Sequence, residues 1–130
     1  ELLLKLSQQM TGMLYQFKLS ADGTYSFPYT SNGIKELFEL ESKDLYFDIE
    51  KLTDRVHPKD LPKMMQSVEE SAKTMEIWQL EYRIILPSKG LRYHFGQSKP
   101  ERQSDGSIIW HGSVMDITES KDITAKILLE

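Results

Sequence analysis

A chain of 130 residues fits one domain, large enough to bury a core without disulfides or a structural metal. It is 39% hydrophobic and 28% charged, an ordinary globular mixture; its net charge of −4 offers no footprint for a phosphate backbone, so nucleic acid is not expected as a partner. Cysteine is absent, which excludes thiol catalysis, thiolate metal sites and cysteinyl adducts with a chromophore, and fits a reducing, cytoplasmic compartment.

In chain order, Leu3, Leu6, Met10 and Met13 recur at helical spacing, so residues 1–12 are expected as a flanking helix with one apolar stripe. Residues 13–19 alternate as a strand, Ala21-Asp22-Gly23-Thr24 makes a turn, and residues 24–29 return as a second strand whose Pro28 suits a sheet edge. Ser31 or Asn32 is placed to cap a short helix carrying Ile34, Leu37 and Phe38, and residues 45–56 read as further short helical pieces. His57-Pro58-Lys59-Asp60 opens a longer helix over residues 60–74, with Leu61, Met64, Met65, Val68 and Ala72 on one face. Residues 77–86, 91–98 and 108–117 read as three more strands, joined by turns at Pro87-Ser88-Lys89-Gly90 and Ser104-Asp105-Gly106-Ser107, and a closing helix starts near Glu119. Strands and helices kept in separate runs argue for an α+β fold with an antiparallel sheet. No run of about 18 apolar residues exists to span a membrane. The chain lacks an initiator methionine and stops inside an expected helix, which reads as a module excised from a longer parent that could be soluble or attached to a membrane.

Local strings make this order more specific. Val56-His57-Pro58-Lys59-Asp60, Trp78-Gln79-Leu80-Glu81-Tyr82-Arg83-Ile84, Pro100-Glu101-Arg102, Asp105-Gly106-Ser107 with Trp110-His111-Gly112, and Asp116-Ile117-Thr118-Glu119-Ser120-Lys121 follow one another in the sequence. Together they resemble the PAS family, in its PAS fold-3 type subfamily, over roughly Met13 to Lys121. Two positions depart from its pattern: Glu39 stands where glycine is common after the first short helix, and Tyr93 where tryptophan is common. The cysteine-bearing flavin motif of light sensors has no counterpart.

The resemblance implies a five-stranded antiparallel sheet with short helices on one face, residues 13–118 as the domain (the PAC motif over 77–118), and residues 119–130 as a linker helix to a C-terminal effector. Parents of this subfamily are sensor histidine kinases or diguanylate cyclases with a GGDEF domain. A ligand pocket between sheet and helices would then be lined by Tyr29, Ile34, Phe38, Leu52 and Val56, by His57, Met64, Met65 and Val68 at the central helix, and by Tyr82, Ile84, His94, Trp110 and Val114 from the strands. The same side chains fill a core if no ligand is bound. His57 suits a helix start better than a ligand role, while His94, facing an apolar interior, needs a partner of some kind. The histidines show no metal-ligand spacing, no cofactor is named by the residues, and neither haem nor flavin finds support.

Asp116, Ile117 and Thr118 stand where the last strand yields to the closing helix, and the oxygens of Asp116 and Thr118 suit a cap that could also carry a signal. Leu3, Leu6, Met10 and Met13 are the dimerisation candidates, covering the outer sheet face near Leu91, Tyr93 and Phe95. No glycine-rich phosphate loop, nucleophile elbow or His-Glu zinc pattern occurs, so the domain is expected to be non-catalytic. Two functions are expected: a homodimeric sensory domain relaying the binding of a small ligand to its effector, or a ligand-free dimerisation and interaction module.

Overall fold

The computed structural model of the chain describes residues 12–129. Five antiparallel strands form one sheet in the order β2-β1-β5-β4-β3, with β1 at Gly12–Leu19, β2 at Tyr25–Thr30, β3 at Trp78–Leu86, β4 at Gly90–Arg102 and β5 at Ile108–Asp116. Between β2 and β3 the chain forms α1 (Ile34–Phe38), a 3-10 turn (Ser42–Leu45), α2 (Glu50–Thr53) and α3 (Leu61–Thr74), and it closes with α4 (Thr118–Leu129). The expected α+β fold is therefore the observed one. The first and last strands meet inside the sheet, where β1 and β5 pair from Gly12 opposite Met115 to Leu19 opposite Ile108.

Period-two burial sorts the side chains. Met13, Tyr15 and Phe17 on β1, Trp78, Tyr82 and Ile84 on β3, and Ile108, Trp110 and Val114 on β5 face the core, beneath the helices' Ile34, Phe38, Leu45, Leu52, Met64 and Val68. Two glycines permit this packing for opposite reasons. At Gly96 on β4, an added Cβ would lie 2.7 Å from the Trp78 ring, so the bare backbone is the floor on which that indole rests. At Gly112 on β5, an added Cβ would lie 2.4 Å from the Cβ of Ser98, and its absence brings Tyr15 and Ser98, both registered opposite Gly112, close across the strand.

α3 is tied to the sheet at three levels. At its start the Asp60 carboxylate takes both Nη2 (2.6 Å) and Nε (3.0 Å) of Arg83 and the Arg83 backbone N–H (2.8 Å). Two turns further in, Trp78 Nε1 donates to Ser67 Oγ at 2.8 Å, and near the end Trp110 Nε1 donates to the buried Ser71 Oγ at 2.9 Å. The serines are spaced i, i+4, so they share a helix face and receive indoles from strands β3 and β5.

Several expectations are corrected. Gly33, not Ser31 or Asn32, is the N-cap of α1; the Ser31 hydroxyl instead accepts the Leu14 N–H at 2.9 Å, completing the β1 edge beyond β2. The proline in the first turn of the long helix is Pro62, and Pro58 sits in the preceding turn. β4 runs to Arg102 rather than ending at Ser98: β3 reaches only Trp78 opposite Ser98, so Pro100 has a partner on the β5 side alone and costs no ladder bond to β3. Met13, expected both on the helical stripe and at the start of the first strand, lies in β1 with its side chain in the core and not on the outer sheet face. Leu3, Leu6 and Met10 lie outside the described residues.

Candidate ligand cavity and output junction

Between the helices and the inner sheet face lies a cavity of about 60 Å³. Its walls are Met13, Tyr15, Phe17 and Phe27 from β1 and β2, Phe38 from α1, Ile49, Leu52 and Thr53 around α2, Met64, Met65 and Val68 from α3, and Trp78, Tyr82, Ser98, Trp110 and Val114 from the other strands. The lining is almost wholly apolar. Its polar corner is the hydroxyl of Tyr15 beside Ser98, and burial pushes the Tyr15 pKa up to about 12, so this hydroxyl stays neutral at any physiological pH. Such a space holds about two waters' share of volume, and it is far below the roughly 300–1,000 Å³ of pockets that take drug-sized ligands or large cofactors. The residues do not fit haem or flavin.

Of the side chains expected to line a pocket, Phe38, Leu52, Met64, Met65, Val68, Tyr82, Trp110 and Val114 do so. Ile34, Val56 and Ile84 are core residues outside the lining; Val56 forms an isolated bridge with Ile84 that docks the segment before α3 onto β3. Tyr29 is a correction. It is 49% exposed on the outer sheet face with Leu14, Gln16 and His111, because it registers with Gln16 beside an irregularity in the β1–β2 ladder, so that Phe27 and Thr30 turn inward instead. His57 lies away from the cavity, and its Nδ1 accepts the Lys59 N–H at 3.1 Å, stabilising the turn before α3.

Sequence reasoning missed the β1 wall. Met13, Tyr15 and Phe17 alternate in plain view, but nothing local in the sequence places the first strand between β2 and β5, inside the sheet and under the helices. Trp78, Ser98, Phe27, Ile49 and Thr53 were also missed; for Ser98 no sequence signal exists, since only the register opposite Gly112 brings it to Tyr15.

His94 sits beside this lining. It is fully buried on β4, its ring meets the rings of Phe38 (5.1 Å, edge-on) and Tyr82 (5.4 Å, edge-on), and its Nδ1 lies 3.3 Å from the Tyr82 hydroxyl. Among the described residues its Nε2 has no hydrogen-bond partner. Burial depresses its pKa to about 4, so the ring is neutral near pH 7.

The residues flanking His94 hold the start of α4. Arg92 Nε donates to Asp116 Oδ2 at 2.8 Å, the Tyr93 N–H donates to Thr118 Oγ1 at 2.9 Å, and the Ile117 N–H donates to the Tyr93 carbonyl at 2.8 Å. Asp116 Oδ1 accepts the Thr118 N–H at 2.9 Å, an oxygen cap on the helix's first orphan donor. Burial pushes the Asp116 carboxyl up, but the bonds from Thr118 and Arg92 outweigh it, and the group stays ionised below the usual carboxylate range. In the first turn of α4, Lys121 Nζ pairs with Glu81 at 3.0 Å and lies 5.2 Å from the centre of the Tyr93 ring, on the outer sheet face.

Among the described residues no group of three or more His, Cys, Asp or Glu side chains could hold a metal, and no helix is long and apolar enough to cross a membrane. None of the curated proteins matches the chain in sequence. Among solved structures it is similar to a domain assigned to a histidine kinase from Haloarcula marismortui (19% identity, TM-score 0.72, 89% of this chain and 97% of that one). It is also similar to the N-terminal domain of a diguanylate cyclase with PAS/PAC sensor from Marinobacter aquaeolei (17%, 0.65, 83% and 98%). A third is a sensory box histidine kinase/response regulator from Burkholderia thailandensis (19%, 0.67, 99% and 94%). At these identities the likeness is one of fold. The family model described as PAS fold matches residues 27–114, from the second strand to the last, and the chain belongs to the PAS fold family.

Proposed function

We propose that this domain is a non-catalytic sensory module of a signal-transduction protein, a diguanylate cyclase or a histidine kinase, acting in the cytoplasm. In this reading its cavity takes a small neutral molecule, and its occupancy is relayed through Asp116, Ile117 and Thr118 into α4 and a C-terminal effector. The observation that carries the reading is one of adjacency. Phe38 and Tyr82 line the cavity and touch His94, and the neighbours of His94, Arg92 and Tyr93, hold both ends of the Asp116-Ile117-Thr118 junction. A change of packing at the cavity therefore has a short, hydrogen-bonded route to the output helix, provided the occupant binds one packing better than the other.

The size of the cavity also favours a second reading. A space of about 60 Å³ among methionines and aromatics suits a ligand-free domain that serves only to dimerise its parent, pairing through the segment that carries Leu3, Leu6 and Met10. Native mass spectrometry of the purified domain, against its denatured mass, separates the two. A retained small mass supports the sensory reading. A bare dimer moves the function to assembly, and a bare monomer refutes both the bound ligand and the dimer.

A further inference from the structure

The loop over residues 40–54 faces two ways. Its base is closed on itself and on the β3–β4 hairpin. The Glu39 carbonyl accepts Arg55 Nη2 at 3.2 Å, and the Glu39 carboxylate accepts the Ser88 N–H (3.0 Å), the Ser88 hydroxyl (2.8 Å) and the Lys89 N–H (3.2 Å). At the other end the Arg55 carbonyl accepts the Ile85 N–H at 2.7 Å. Ends fixed this close, over a compact stretch packed by its own side chains, make an Ω-loop. Its inner side buries Leu40, Leu45 and Leu52 and supplies Ile49, Leu52 and Thr53 to the cavity region.

Its outer side presents an aromatic pair. Phe47 is 84% exposed and Tyr46 is 47% exposed, although the turn beneath them is ordered: Leu45 is fully buried, and Asp44 accepts the Glu41 N–H at 2.9 Å and Lys51 Nζ at 3.0 Å. The other large exposed hydrophobic side chains lie on the outer sheet face or in α4, so this pair is separate from that face. The loop that carries the pair is acidic, with Glu41, Asp44, Asp48, Glu50 and Asp54 against Lys43 and Lys51, and Asp48 directly follows Phe47 in the chain. Both lysines of the loop are engaged within it, Lys43 with Glu41 and Lys51 with Asp44, while Asp48, Glu50 and Asp54 form no ion pair among the described residues.

We propose that the tip of this loop, Tyr46 and Phe47 with the nearby carboxylates of Asp48 and Glu50, is a docking site for a protein segment in which lysine or arginine flanks an apolar side chain. The acidic sign of the loop opposes nucleic acid and anionic membrane surfaces; in a protein interface an exposed aromatic supplies affinity, and complementary charge beside it supplies orientation and encounter rate. The same loop walls the cavity through Ile49, Leu52 and Thr53, so a partner seated at its tip bears on an element that also lines that space. The docking site stands whether or not the cavity takes a ligand.

The test is a titration of the isotope-labelled domain with a short amphipathic peptide of leucine and lysine, followed by amide shifts, with the leucine and glutamate peptide as control. The expected result is saturable shifts centred on residues 44–50 with the basic peptide alone. Phe47→Ser weakens binding about tenfold or more, and Asp48→Asn with Glu50→Gln weakens it several-fold and flattens its salt dependence. Shifts spread over other acidic surfaces, equal affinity for the variants, or no binding overturns the proposal. So does a marked fall in Tm for Phe47→Ser, which would make the aromatic structural; Phe47→Leu, expected to keep both fold and most of the affinity, guards that reading.

Discussion

His94 sets a measurable acid limit on the domain. The ring is fully buried among Phe38 and Tyr82, its Nε2 lacks a partner, and its pKa is depressed to about 4. An unfolded histidine titrates near 6.5, so between about pH 6.5 and 4 the unfolded chain binds a proton that the folded chain refuses. Folding stability therefore falls as the pH drops through this window and is insensitive to His94 above it. The full loss is about 3 kcal/mol, from about 1.4 kcal/mol for each pH unit of the displacement. The assay is urea unfolding at a series of pH values, for the parent and for His94→Phe combined with Tyr82→Phe, which leaves no orphaned hydroxyl. Carboxylates held low, such as Asp60, lose their contribution further down and do so equally in both proteins. The double variant should lack the fall between pH 6.5 and 4. If its pH dependence matches the parent's, His94 is protonated in the native state or the core opens to solvate it, and the reasoning from burial is wrong.

Other substitutions probe the ties between helices and sheet. Ser71→Ala leaves the Trp110 N–H and the Glu76 carbonyl without their buried partner and should cost about 2 kcal/mol in urea unfolding, more than Ser67→Ala at the half-buried Trp78 tie. Asp60→Asn should cost about 1 kcal/mol near pH 7. Because Arg83 holds the Asp60 pKa down to about 2, that stabilisation is present above the ordinary carboxylate range, fades as the pH falls toward 2, and the two proteins should converge there in acid unfolding. Glu39 has φ 54, a left-handed conformation, so Glu39→Gly should melt higher than Glu39→Ala, since both lose the clamp to Ser88 and only glycine is relieved of strain. Gly96→Ala should displace the Trp78 indole and be seen as a change in its fluorescence together with a lower Tm.

Much of this was legible in the chain because period and punctuation act locally. The 3.6-residue stripe through Met64 and Val68 declared α3, the turn at Pro87-Ser88-Lys89-Gly90 declared the β3–β4 hairpin, and Asp116 before Thr118 declared the cap of α4. What could not be read depends on register between distant segments. Tyr29 looks like a core aromatic until the irregular β1–β2 ladder turns it outward, and Asp60 looks like a helix cap until Arg83, far away in sequence, claims its carboxylate. Glu39 shows the same limit: a departure at a position that favours glycine is explained only by the hairpin amides that hold it. Met13 fits both a helical stripe and the first strand by spacing alone, and burial under the sheet's own helices decides for the strand.

The proposed relay from the cavity to α4 through the Asp116-Ile117-Thr118 junction can be tested without any natural ligand. Xenon fits a small apolar space of this kind and adds no charge or hydrogen bond of its own. The most direct measurement is the amide spectrum of the labelled domain under xenon pressure, for the parent and for Asp116→Asn with Thr118→Val. The account predicts shifts at cavity residues such as Val114 and Tyr82 that extend to Tyr93, Ile117 and the first turn of α4 in the parent, and that stop at β4 in the variant. Shifts confined to the cavity in both proteins would contradict it.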